Sequence, residues 1–274
     1  MPESAPPSIL RFEHVTVRYE GTDVLADLSF EAFEGESRVI LGAAGSGKTV
    51  LLKTALGLIK PNAGKVIAFD RDLTRLKERE LFEIRSKVGM LFQESALFDS
   101  LTIEENVAYP LINQKSIQCP ENEVQGRVDQ ALEFVELAGT QEKFPSELSG
   151  GMRRRAAIAR AFVTGPPLIL YDSPTAGLDP ITSHTIIALL IKERDLRHTT
   201  TLMVTHRYQD GNLIANFRYN SEQGRLEPAR NGTGRSARTI FMVLRDGRLI
   251  FEGDQDRLEA ATDPYITKFV KQRV

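Results

Sequence analysis

Apolar residues fall at roughly every second position over 9–20, ILRFEHVTVRYE, and again over 24–33, VLADLSFEAF. That alternation predicts short strands, with Gly21 and Gly35 as turn punctuation. The run SRVIL is followed by a glycine-rich loop and then by KTVLLKTALGL, whose apolar spacing predicts an amphipathic helix. The order there is strand, loop, helix. GKVIAFD predicts another strand after the KPNAG turn, and a charged helical stretch over 70–90 leads into a strand at KVGMLFQ.

From about 95 to 165 the pattern is mostly helical, through TIEENVAYPLI, ENEVQGRVDQALEFVELAG and GGMRRRAAIARAFV. PLILYD and TTLMVTH are short continuous apolar runs, the signature of parallel strands buried on both faces. The helix PITSHTIIALLIKERD lies between them. RTIFMVLRDGRLIFEGD predicts two more strands, and a final helix begins near residue 254. The polar, glycine-rich stretch 217–238 is expected to be a solvated surface loop. No internal repeat is visible. Strands spaced by helices in this way mark an α/β protein.

Composition narrows the classes. The 274 residues suffice for a sizeable core, and 35 basic against 37 acidic side chains leave a formal net charge of −2. No overall basic footprint points to nucleic acid, although MRRRAAIAR is a local basic stretch. Cys119 is the only cysteine, so an internal disulfide is excluded, which fits a reducing compartment. No apolar run approaches the roughly 20 residues of a membrane helix. The start, MPESAPPSILRFE, lacks the features of a signal peptide, and 1–8 is expected to be a disordered lead.

The chemistry sits in GAAGSGKT, residues 42–49, which matches G-x-x-x-x-G-K-[ST]. Glycines let the backbone curl so that several N–H groups point at one phosphate, and the following helix adds its positive end. Lys48 is placed to reach β- and γ-phosphates, and Thr49 offers a hydroxyl to Mg2+. Its position between an apolar strand and an apolar helix is the confirming context. Asp172, at the end of LILYD, is an expected Mg2+ partner acting through water.

LSGGM at 148–152 stands shortly before that strand, AGLDP follows it, and a glutamine and a histidine occur at Gln93 and His206. In their order and spacing, and over nearly the whole chain, these motifs resemble the ATP-binding subunit of an ABC transporter. VGMLFQESALFDSLTIEENVAYPL and ELSGGMRRRAAIARA are most similar to the Mla-type lipid-transport branch. The resemblance implies a P-loop NTPase fold with a parallel core sheet, a small N-terminal antiparallel β subdomain and a helical signature subdomain at about 94–160. All would lie within one ATPase domain, 9–274, with a polar insertion at about 217–238.

It also implies site roles. Gly42, Ala43, Ala44, Gly45, Ser46, Gly47, Lys48, Thr49 and Val50 would wrap ATP, with Tyr19 stacking on adenine. A strand-surface tyrosine is the plain alternative for Tyr19. Thr49, Gln93 and Asp172 would serve Mg2+, and Gln93 and His206 would attend the attacking water and the γ-phosphate. Ser149, Gly150 and Gly151 would cap the γ-phosphate of a second subunit, and Asp179 would cross the dimer interface. Arg153–Arg155 are expected on the exposed side of the signature helix. His14, His184 and His198 have no such context.

Expected partners are a second ATPase subunit, in a homodimer, integral membrane permease subunits, a STAS-domain protein and a periplasmic lipid-binding subunit, with no nucleic acid. The expected place is cytoplasmic, peripheral on the inner membrane. ABC ATPases acting on DNA or ribosomes form the contrasting class. They carry coiled-coil insertions or paired cassettes, and neither pattern is present.

Ser173 stands where the resemblance implies a glutamate that polarises the attacking water. A hydroxyl does not accept a proton at neutral pH as a carboxylate does, and lost general-base assistance costs ~10²–10⁴-fold in rate. Three readings remain open: a slow ATPase using Gln93, His206 and Mg2+; substitution by another carboxylate, with Glu94 nearest in sequence; or a non-hydrolysing ATP switch or half of a heterodimer with one competent site.

Overall fold

The computed structural model describes residues 6–229 and 238–271. In chain order the chain forms β1 (Ser8–Tyr19), β2 (Thr22–Phe33), β3 (Ser37–Leu41), α1 (Lys48–Ala55), β4 (Ala63–Ala68), β5 (Arg71–Asp72), α2 (Glu78–Arg85) and β6 (Val88–Leu91). Then come α3 (Ile103–Asn113), α4 (Glu121–Phe134), α5 (Gly150–Phe162), β7 (Leu168–Asp172), α6 (Pro180–Arg197), β8 (Thr200–Thr205) and α7 (Tyr208–Asn216). The remainder is β9 (Phe217–Asn220), β10 (Arg225–Pro228), β11 (Thr239–Arg245), β12 (Arg248–Gly253), α8 (Gln255–Glu259) and α9 (Pro264–Val270).

Two sheets carry the fold. The larger has the order β12-β11-β3-β8-β7-β6. Its strands from β11 to β6 run parallel, and β12 is an antiparallel edge. The smaller, β2-β1-β4-β5, is antiparallel throughout. The sheet order explains the unbroken apolar runs. Every residue of β3, β7 and β8 is buried, because helices or the second sheet cover both faces.

Successive residues of one strand therefore enter different cores. Val39 and Leu41 join Leu91, Tyr171, Met203 and Phe241 under the helices α3–α9. Ile40 joins Leu170, Val204 and Met242 on the other face, with α1, α2 and the antiparallel sheet. Helices α3, α4 and α5 form a layer in which Ile103, Val107, Val128, Leu132 and Ala156 pack together. Thr102 opens this layer with a capping box: its hydroxyl accepts from the Glu105 amide, and the Glu105 carboxylate accepts from the Thr102 amide.

Four expectations are corrected. Ser8 already pairs with Phe33, and the Pro7 carbonyl accepts from the Glu34 amide, so the expected disordered lead over 1–8 ends sooner. Its residues 1–5 lie outside the described residues. Within the expected loop 217–238, β9 and β10 form an antiparallel hairpin that rests on the end of α6, while 230–237 lie outside the described residues. The final helix is two helices, because Asp263 and Pro264 restart the chain as a new N-cap and first turn. The basic run is not an exposed face. Arg154 is buried, and Arg155 lies half-buried, donating to the carbonyls of Val135 and Glu136, so only Arg153 is exposed.

Candidate functional site

The centre lies at the C-terminal ends of β3, β7 and β8. Between β3 and α1 the chain turns sharply through the glycine-rich loop. Gly47 holds φ at +100°, and a Cβ there would lie 2.6 Å from the Val24 carbonyl oxygen, so no other residue fits. The first amides of α1 have no partner four residues back and form a positively polarised end. The Lys48 ammonium folds over the loop and donates to the carbonyls of Gly42 at 2.8 Å and Ala43 at 2.7 Å. Burial pulls its pKa below the usual lysine value, and the Asp172 charge opposes that shift.

Asp172 ends β7 across from this loop. One carboxylate oxygen accepts from Thr49 Oγ1 at 2.7 Å, and the other accepts from Ser173 Oγ at 3.2 Å. The oxygens gathered here suit Mg2+. One carboxylate and one hydroxyl are hard oxygen donors, and among the described residues no group of three or more His, Cys, Asp or Glu side chains gathers. Mg2+ sites have that sparse character, since the ion keeps waters and takes substrate phosphate oxygens. The donor set fits.

A cleft of about 690 Å3 opens over these residues, within the range of small-molecule sites. Ala43, Ala44, Gly45, Gly47, Lys48, Thr49 and Val50 line it. Asp172, Ser173, Gln93 from the end of β6 and His206 from the end of β8 line it as well. Gly42 and Ser46 support the loop from behind; a Cβ on Gly42 would lie 2.5 Å from Ser46 Oγ. Tyr19 stands 47% exposed at the end of β1 and is not part of this lining, whereas Val24 is. Glu94 is exposed and does not line the cleft either.

Ser173 is buried in left-handed backbone, φ +48°, with its amide donating to the Val204 carbonyl at 2.8 Å. The loop after it reaches Asp179, which caps α6 by accepting from the amides of Ile181 and Thr182, both at 3.0 Å. Hydrogen bonds from Thr182 hold the Asp179 carboxyl below the usual range. Ser149 caps α5, accepting from the Met152 amide. A Cβ on Gly151 would meet the Thr182 methyl at 2.7 Å, so the LSGGM turn and the Asp179 loop lie side by side. Neither lines the cleft of its own chain.

Three features escaped the sequence reading. Arg154 donates to the carbonyls of Phe92 at 3.0 Å and Ala176 at 3.3 Å, bridging the segments that carry Gln93 and Ser173. Burial lowers its pKa, and Asp172 partly offsets this. Asp210, also buried, accepts from Thr175 at 2.6 Å and Thr205 at 3.0 Å, tying the Ser173 loop to the His206 segment. Burial pushes its carboxyl up. Third, Tyr265, Lys268 and Phe269 of α9 line the cleft. Only the last left a trace in the sequence, an i, i+3, i+4 spacing on one helix face.

Comparisons with known proteins agree with this architecture. The family profile described as ABC transporter matches residues 25–176. The intermembrane phospholipid transport system ATP-binding protein MlaF of Haemophilus influenzae is 32% identical over 264 residues, 96% of this chain and 90% of that protein. The probable ribonucleotide transport ATP-binding protein mkl of Mycobacterium leprae is 38% identical over 70% of this chain, which spans 55% of its length. The methionine import ATP-binding protein MetN of Geobacillus kaustophilus is 38% identical over 72% of this chain and 58% of its own. Among solved structures, the dimeric post-hydrolysis state of the ATP-binding cassette MJ0796 with ADP and Pi superposes with a TM-score of 0.74 at 30% identity. It covers 90% of this chain and 98% of that one.

Proposed function

The chain belongs to the ABC transporter family of ATP-binding subunits, and we propose that it powers lipid transport across the cell envelope by binding and slowly hydrolysing ATP. The observation that carries the ATP reading is the Lys48 loop facing an Asp172 whose two oxygens are held by Thr49 and Ser173. Lipid as cargo is supported by the likeness to MlaF along almost the full length of both chains.

In this reading the loop amides and Lys48 bind the β- and γ-phosphates, and Thr49 and Gln93 would hold Mg2+, with Asp172 acting through water. When bound, Mg2+ neutralises charge on the phosphate oxygens. His206 donates toward the γ-phosphate, and Gln93 orients the attacking water. Ser173 supplies no general base, and Glu94 does not line the cleft, so positioning and electrostatics carry the rate that remains. Asp179 and Ser149–Gly151 form one contiguous surface for a second subunit, a homodimer partner, and complete the partner's site.

The exposed, ring-paired Phe98 and Tyr109 border a groove that also includes Phe92, next to Gln93. That groove is the proposed seat of a permease, with a STAS protein and a periplasmic lipid-binding subunit completing the assembly. Among the described residues no helix is long and apolar enough to cross a membrane, so such a permease would hold the chain at the cytoplasmic face of the inner membrane.

Lys48→Ala tests the ATP reading. It is expected to abolish ATP–Mg2+ binding, while the wild type binds ATP and turns over far below a typical transporter ATPase. Rapid turnover of the isolated wild type, lost in Lys48→Ala, would refute the slow-enzyme reading. Co-purification with a membrane protein that carries phospholipid is the expected result for transport; co-purification with DNA or ribosomes argues against it. A second reading, an ATP-dependent switch without hydrolysis, is favoured by the Ser173 substitution alone and predicts tight ATP binding with no phosphate release.

A further inference from the structure

The nucleotide cleft has a wall outside the matched family region 25–176. Tyr265, Lys268 and Phe269 lie on one face of α9 and line the cleft beside the phosphate loop. The helix is firmly docked. Asp263 caps it by accepting from the Tyr265 amide at 2.7 Å, and Ile266 and Phe269 are buried in the core beneath the sheet. The Tyr265 hydroxyl accepts from the Ala43 amide at 3.0 Å and donates to the Leu244 carbonyl at 3.2 Å. It therefore pins the first turn of the phosphate loop to the end of β11. The Phe269 ring meets Tyr265 edge-on, with centroids 5.2 Å apart.

Lys268, one turn beyond Tyr265, is exposed. Its ammonium has no hydrogen bond or ion pair among the described residues, whereas Lys48 is already bonded to two loop carbonyls. An exposed cation that has no partner among the described residues thus lines the same cleft as an anion-binding loop. We propose that Lys268 is a ligand of the polyphosphate chain of the bound nucleotide, which makes α9 part of the nucleotide site. This rests on the ATP-binding reading given above. A long, flexible ammonium stem reaches several ångströms from its helix and suits an anion whose charge is spread over several oxygens. Because ATP carries more charge than ADP, Lys268 favours the triphosphate.

Equilibrium binding of ATP and ADP with Mg2+, at two salt concentrations, tests this on full-length wild type, Lys268→Ala, Lys268→Arg and Lys48→Ala. Lys268→Ala is expected to weaken ATP binding roughly fivefold or more, and ADP binding less. The loss should shrink at high salt. Lys268→Arg should restore affinity, and the nucleotide-free melting temperatures should match. ATP affinity of Lys268→Ala within twofold of wild type, with binding lost in Lys48→Ala, would overturn the role of Lys268 and leave the ATP reading standing. Equal weakening of ATP and ADP with a lowered nucleotide-free melting temperature would also overturn it, since it marks a structural effect. Undiminished ATP binding by Lys48→Ala would overturn the ATP reading itself, and this proposal with it.

Discussion

Glu193 offers a quantitative test of the packing behind β7. It lies in the buried stretch of α6 with no solvent exposure. One carboxyl oxygen accepts from Thr199 Oγ1 at 2.7 Å, while the other has no partner, and the buried Tyr171 hydroxyl has none either. Burial pushes the Glu193 pKa from its ordinary 4.5 up to about 7, against the Thr199 hydrogen bond and the Arg197 charge. The folded chain thus keeps a proton that the unfolded chain releases above pH 4.5. Stability from this group is complete below pH 4.5 and is lost as pH rises to about 7. A change of that size corresponds to about 3 kcal/mol of buried-carboxylate penalty at pH 8.

Glu193→Gln keeps the shape and an acceptor for Thr199 but cannot ionise. Urea unfolding followed by far-UV circular dichroism should show the variant more stable than wild type by about 1–3 kcal/mol at pH 8 and nearly equal at pH 4.5. The fall in wild-type stability between those values should flatten in the variant. A variant less stable than wild type at pH 8, or an equal difference at both pH values, would refute the reasoning. Either result would mean that the carboxylate is ionised and satisfied in the fold.

Three further outcomes are expected. Ser173→Glu should raise steady-state ATP turnover, by up to ~10²–10⁴-fold if the missing base limits the rate; an unchanged rate places the limit elsewhere. Arg154→Met should strip hydrogen bonds from the Phe92 and Ala176 carbonyls and lower stability by about 2–4 kcal/mol, read from the urea midpoint. Wild-type stability in that variant would mean that water replaces the guanidinium. Thr102→Ala removes the cap of α3 and should cost about 1 kcal/mol, whereas Thr102→Ser should cost little.

Much of this arrangement is legible in the sequence. The apolar runs around Leu170 and Val204 announced strands buried on both sides, SRVIL announced the strand before the loop, and GAAGSGKT announced the phosphate loop, because all rest on local patterns. The misses share another cause: each depends on contacts between distant segments. Nothing in MRRRAAIAR distinguishes Arg154, which turns inward, from Arg153, which does not; the two carbonyls that receive Arg154 belong to other parts of the chain. Asp210 looks like an ordinary acid in a polar stretch until Thr175 and Thr205 arrive beside it. The β9–β10 hairpin was hidden because its strands are short, polar and only half-buried.

The position of β3 also constrains how the protein is made. Its neighbours in the sheet are β8 and β11: Ser37 pairs with Thr201 and with Thr239, 164 and 202 positions further along the chain. The strand carrying the phosphate loop is therefore an early product of synthesis with no lateral partner until late strands emerge. Contacts of such separation fold slowly and leave apolar edges uncovered in the interval. A nascent chain stopped near Ala176 would contain the loop, its lysine and its aspartate, yet β3 would still lack both flanking strands. Nucleotide capture thus reports completion of the sheet, and chaperone dependence should be greatest for chains stalled between β7 and β11.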